Sequence, residues 1–176
     1  MAFCLCGTKL ISYSFKPFGE SSKSHSQIDD NFLTWAASAG SITNGFARLF
    51  FGTMIDRFSF KLLMGVILTA EFVMCLLFYV SAHIPGLYFA LILVNYAIVG
   101  GFFVVLPVST TRTFGLKLGP QVFALNFGGV LASLINLSMT HWLLPATSYL
   151  TLYLAGAAVT FCSLVVLFFT KEELDV

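Results

Sequence analysis

The sequence predicts an all-α membrane protein with five full transmembrane helices and a partial helix at its N-terminus. Three observations predict it. Only 10% of the 176 residues are charged and 58% are hydrophobic, whereas a soluble domain carries roughly 25% charged residues. So little charge cannot cover a water-facing surface. Apolar runs of bilayer length, which takes about 20 residues, recur along the chain. The segments between the runs collect most of the Lys, Arg, Asp and Glu. A net charge of +1 argues against nucleic acid as a partner.

Residues 1–16 are apolar except for Lys9 and a closing Lys16. They are too short for a span. A signal peptide would put positive charge ahead of its apolar core, whereas Lys9 interrupts this one, so the stretch reads as the end of a helix that begins upstream. Residues 17–31 form a polar non-cytoplasmic loop, in which His25 is solvated and Asp30 or Asn31 caps the following helix. The full spans are 32–55, 62–81, 87–108, 120–142 and 147–170. A proline–glycine turn at 82–86 separates the second from the third. A polar loop at 109–119 carries Arg112 and Lys117, and Pro120 suits the first turn of the helix after it. Residues 171–176 are a polar tail.

Lys and Arg near span ends set the orientation. Arg57 with Lys61, Arg112 with Lys117, and Lys171 all fall on one side, while the turns at 82–86 and 143–146 carry neither residue type. The opposite side has only Lys16 and Lys23, in the first loop. The tail at 171–176 is therefore expected in the cytoplasm.

A charged residue inside a span is a functional candidate by default. Arg48 lies ~6 Å to the cytoplasmic side of the centre of its span at 1.5 Å per residue. Asn44 and Gly40 stand above it at one-turn steps, and Ala37, Ser41 and Gly45 form a small-residue row beside them. Two readings of Arg48 stand: a side chain held by a partner or a wet cavity, or one snorkelling to the headgroups. Glu71, mid-span, is either a proton site or a neutral carboxyl bonded to a neighbour. Asn126, Ser133, Asn136 and Thr140 share a face that either meets substrate or bonds another helix. Lys9 is a further intramembrane cation, and His83 and His141 sit at span ends.

Cys4, Cys6, Cys75 and Cys162 lack metal-ligand spacing and read as small apolar packing residues. No metal or cofactor is expected. The sequon at Asn136 falls inside an apolar run and is discarded. No His-Glu-x-x-His, Gly-x-Ser-x-Gly or intramembrane aspartate pair is present, which argues against an enzyme.

Gly52, Asp56, Arg57 and Lys61 close the first full span. They resemble the loop signature G-x-x-x-D-R-x-G-R-R/K of the major facilitator superfamily, with Ser59 in place of the second glycine and Phe60 in place of a basic residue. The Lys16-Pro17-Phe18-Gly19 exit, the Gly100-Gly101 pair with Pro107, and the segment from Thr113 to Gln121 are similar to the oxalate/formate antiporter and monocarboxylate transporter branch. The resemblance implies half of a facilitator bundle, helices seven (partial) to twelve of a twelve-helix carrier. It implies secondary active transport of a small organic anion by alternating access, with a monocarboxylate favoured over other anions. It also implies Arg48 as the residue engaging the carboxylate, since a guanidinium fork binds carboxylates bidentately. Asn44 stands where the family has an acidic residue, and the run at 121–142 lacks the family's lysine. Asp56 is expected to pair with Arg57, Lys61 or a helix N-terminus. The expected partners are the anion, with protons or an exchanged anion, the lipid bilayer, and an N-terminal six-helix half or a second copy. The alternative is a transport-inactive half-size membrane protein serving as a partner subunit.

Overall fold

The computed structural model describes residues 5–21, 28–124, 128–143 and 147–169. Within them the protein is all helix and loop. Helix α1 spans Cys6–Ser21, α2 Asp30–Met54, α3 Phe60–Ser81, α4 Pro85–Ala124, α5 Gly128–Ser138 and α6 Tyr149–Phe169. A widened π turn, Met139–Leu143, continues α5. Helix α1 runs through the middle of the bundle and touches α3, α4, α5 and α6, while α2 packs along α4.

Helix α1 runs past residue 16, where the sequence placed its end, and continues through Pro17 to Ser21. Proline inside a helix removes a hydrogen bond at a cost of about 3 kcal/mol. An aromatic cluster on the far side of Pro17 offsets it. Phe18 is buried with its ring 4.9 Å from that of Tyr149 and 5.3 Å from that of Tyr153. The Tyr88 hydroxyl donates to the Phe15 carbonyl, and the Tyr153 and Ser14 hydroxyls lie 3.0 Å apart.

Asp29, not Asp30 or Asn31, caps α2: its carboxylate accepts the Phe32 N–H at 2.7 Å. Asp30 pairs with Lys16 across the loop at 2.9 Å. That hydrogen bond, followed by the charge of Asp30, holds the Lys16 ammonium above the ordinary lysine value. Helix α3 starts on Ser59, whose hydroxyl accepts the Leu62 N–H at 3.3 Å. The serine that replaces the signature glycine is therefore an N-cap.

The polar loop expected at 109–119 is helical except for one corner. Helix α4 continues through Pro107 and bends at Gly115 (φ 78°, ψ 167°). Only glycine takes that φ cheaply. The hydroxyls of Thr110, Thr111 and Thr113 fold back onto carbonyls three or four residues earlier, so these polar side chains serve the helix instead of breaking it. The helix expected at 120–142 accordingly begins before Pro120.

Among the described residues, α3, α4 and α6 are the three helices long and apolar enough to cross a membrane. Five such spans were expected. Helix α2 has the length, with 25 residues, but its Asp30, Asn31, Ser38, Ser41, Asn44 and Arg48 lower its hydropathy. Helix α5 is described over 11 residues.

Candidate functional site

Arg48 and Asn44 meet as their one-turn spacing requires. Arg48 Nε donates to Asn44 Oδ1 at 3.1 Å, and Asn44 Nδ2 donates to the Tyr96 carbonyl of α4 at 2.9 Å. The asparagine thus fixes the arginine on one side and docks α2 to α4 on the other. An aspartate at 44 would turn a carboxylate toward that carbonyl. The Arg48 guanidinium is exposed and lies 5.4 Å from the centroid of the Phe103 ring.

Helices α2 and α4 approach closely because their contact row is small. A Cβ added at Gly100 would lie 2.7 Å from the Asn44 carbonyl, and one at Gly40 2.5 Å from the Tyr96 ring. In the row Ala37, Ser41 and Gly45, Ala37 packs against the core, whereas Ser41 and Gly45 are exposed, and nothing lies within 4 Å of a Cβ built at Gly45.

Phe103 also lines a cavity of about 530 Å³ between α1, α4 and α5. Leu5, Lys9, Phe102, Leu106, Phe123 and Ser133 share its walls. Lys9 sits 5.9 Å from the Tyr13 ring centroid, and the Tyr13 hydroxyl is 3.4 Å from that of Ser133. Among the described residues the ion pairs are Lys16–Asp30 and Arg112–Asp56. No described carboxylate pairs with Lys9 or Arg48. The cavity wall therefore carries one cation, Lys9, and its Phe103 edge supports a second, Arg48.

Sequence reasoning grouped Ser133 with Asn136 and Asn126, but the structure separates the first two. Ser133 lines the cavity. Asn136 is buried, and its amide donates to the Cys6 carbonyl of α1 at 3.0 Å, an interhelical bond. Asn126 lies outside the described residues. Missed by sequence reasoning were Phe103 and Tyr96, whose roles depend on the packing of α4. Asn95, whose amide donates to the Ser12 hydroxyl at 2.8 Å, was missed as well; a polar residue in an apolar run could have drawn attention to it. A larger hollow of about 690 Å³ lies between α3 and α4. Its polar side chains are Lys61 and Thr69, a lining suited to lipid tails more than to a small charged solute.

The loop after α2 pairs differently from expectation. Asp56 bonds Arg112 at 2.7 Å, not Arg57 or Lys61. Arg112 also donates to the Ile55 carbonyl at 2.7 Å, where a cation complements the helix end. Lys61 reaches the Phe168 carbonyl of α6 at 2.9 Å. Arg57 is exposed, and a Cβ added at Gly52 would lie 3.9 Å from Val104 of α4, an ordinary van der Waals contact. His83 and His141 are exposed at helix ends. Among the described residues no three His, Cys, Asp or Glu side chains gather as metal ligands would.

Glu71 lies away from the cavity, fully buried where α1 meets α3, with Oε1 accepting the Thr8 N–H at 2.7 Å.

The family model described as Major Facilitator Superfamily matches residues 1–175. No curated protein and no solved structure matches the chain.

Proposed function

The chain belongs to the major facilitator superfamily, whose members carry small solutes across the lipid bilayer, and from that premise we propose that it moves a small organic anion as the C-terminal half of a larger carrier. The preferred substrate is a monocarboxylate. Arg48 is the anchor for the carboxylate, with Asn44 orienting its guanidinium and Ser133 on the cavity wall. The observation that carries this reading is Arg48 itself: an exposed guanidinium with an amide as its polar partner, set over the ring of Phe103. A snorkelling arginine would not need that fixed arrangement. The open row of Ser41 and Gly45 beside it supports a face that receives the other half. The loop at 55–59 and residues 171–176 are assigned to the cytoplasm and residues 17–31 to the opposite side, on the Lys and Arg asymmetry.

Uptake of labelled propionate by the two-half carrier in liposomes, at matched protein insertion, tests this. Arg48→Lys keeps the charge but loses the planar fork and should reduce uptake about tenfold or more. Arg48→Ala should abolish it. Wild-type uptake by Arg48→Ala would remove Arg48 as the anchor. Oxalate serves as the dianionic comparison, because Lys9 offers a second positive charge at the cavity. Uptake of oxalate in preference to propionate would shift the substrate from monoanion to dianion.

A further inference from the structure

The cavity between α1, α4 and α5 is larger and more apolar than a short-chain carboxylate requires. Its volume is about 530 Å³. At about 30 Å³ for each water-sized heavy atom, propionate occupies on the order of 150 Å³, under a third of it. Lys9 and Ser133 are the polar side chains among its described lining residues, and none of these residues is a carboxylate. The rest of the wall is apolar, with the rings of Phe102, Phe103 and Phe123 and with Leu106 and Val130 beside them. Water left in that space would find few of the roughly two to four polar partners that an ordered water needs.

The corner in α4 brings the three rings together. Phe102 and Phe103 precede it and Phe123 follows it. In a straight helix Phe123 would stand about 30 Å from Phe103, at ~1.5 Å per residue. Gly115 turns the chain back instead (φ 78°, ψ 167°). Gly119 then lies so close to the Thr111 backbone that a Cβ has no room there, and Phe123 lines the same cavity as Phe102 and Phe103. Phe103 is also the ring beside the Arg48 guanidinium, 5.4 Å from its centroid. A carboxylate held by that guanidinium has Phe103 as a neighbour, and the apolar part of the acid continues along the ring into the cavity.

We propose that the preferred substrate is a monocarboxylate bearing an aromatic ring, of the size of 3-phenylpropionate, and that Phe103 is the specificity-determining residue joining the anion anchor to the apolar cavity. The proposal rests on the reading of the chain as an anion carrier and names the class of acid. Such an acid occupies on the order of 330 Å³ by the same measure, which the cavity accommodates. Its ring meets other rings, whose faces and edges attract one another in offset or edge-on pairs. Lys9 on the wall adds positive potential that favours an anion. Each buried methylene is worth about fourfold in affinity, so a ring added to propionate should tighten binding at least about tenfold.

The test is calorimetric binding of propionate and of 3-phenylpropionate to the two-half carrier, as wild type, Phe103→Ala and Val130→Phe. The wild type should bind 3-phenylpropionate at least about tenfold more tightly than propionate. Phe103→Ala removes the shared ring, and Val130→Phe fills space that the aromatic group would take. In each variant the two affinities should become nearly equal. A smaller preference in the wild type, or tighter binding of propionate, would overturn the proposal while leaving the carrier reading intact. A preference that survives in either variant would overturn it too, since the ring would then be recognised elsewhere or partition into the detergent. Binding of neither acid by the wild type would overturn both readings. Phe103 is 46% and Val130 57% exposed, which favours folding of both variants; should one fail to fold, the other decides.

Discussion

At Asn44 a single amide serves two partners. Its oxygen holds Arg48 at 3.1 Å and its nitrogen holds the Tyr96 carbonyl at 2.9 Å. Asn44→Ala removes both bonds. With about 0.5–1.5 kcal/mol per hydrogen bond, the loss of guanidinium orientation should weaken propionate binding roughly two- to tenfold, read by calorimetry. Asn44→Asp should do worse than its charge pairing with Arg48 suggests, because the Tyr96 carbonyl then faces a carboxylate. Binding at wild-type affinity in Asn44→Asp would count against this account. A second prediction concerns Asp56 and Arg112. Both side chains of the pair are exposed, so its contribution to stability is small, within about 1 kcal/mol. Its expected role is to hold the loop after α2 against α4 in one conformer. Asp56→Asn and Arg112→Gln should each slow transport without weakening substrate binding, and the double variant should be no slower than either single one. Additive slowing would show that the two residues act separately.

The α2–α4 pair makes a contrasting prediction at the scale of elements. Gly100→Val drives a side chain into the Asn44 carbonyl and Ala47. Overpacking of this kind costs about 1–3 kcal/mol, and thermal stability in detergent should fall accordingly. Gly45→Val meets nothing within 4 Å in this chain. It should leave that stability unchanged and still impair uptake, if the row of Ser41 and Gly45 receives the other half of the carrier. Full uptake by Gly45→Val would mean that this face stays open. Gly115 is the other pivot, since its φ of 78° and ψ of 167° lie in a region held almost only by glycine, where another residue costs about 1–3 kcal/mol. Gly115→Ala should loosen or straighten the corner of α4.

For the whole molecule, the Lys and Arg asymmetry predicts that tags inserted within residues 21–26 and after Val176 are accessible from opposite sides of the membrane. Labelling of both from one side would overturn the orientation. Much of the outer surface is apolar. Trp35 is 73%, Phe46 70% and Leu49 70% exposed on α2, and exposed contiguous apolar surface of this kind marks contact with lipid or another protein. Three interior side-chain contacts join one helix to another: Asn136 to Cys6, Asn95 to Ser12, and Tyr153 to Ser14. Without water as a competitor, such bonds help specify which helices pair.

Composition and periodicity by themselves determined the helical membrane class, because low charge and long apolar runs leave the backbone no way to be satisfied in lipid except inside helices or closed barrels. Local spacing determined the Arg48–Asn44 contact, since residues four apart share a helix face. The sequence also showed the turn after Met54, though not the N-cap role of Ser59 in it. What only the tertiary structure decided is everything set by the packing of one helix on another. Asp56 finds Arg112 across 56 residues of sequence, a partner that no local rule ranks above Arg57 or Lys61. Asn136 turns to α1 while Ser133 lines the cavity, because the two lie on slightly different sides of α5. Pro17 and Pro107 stay within helices because buried rings and returning hydroxyls repay the bonds that proline removes. Lys9 gains its place at the cavity, with Glu71 capping the same turn of α1, only once α1 is enclosed by α3, α4 and α5.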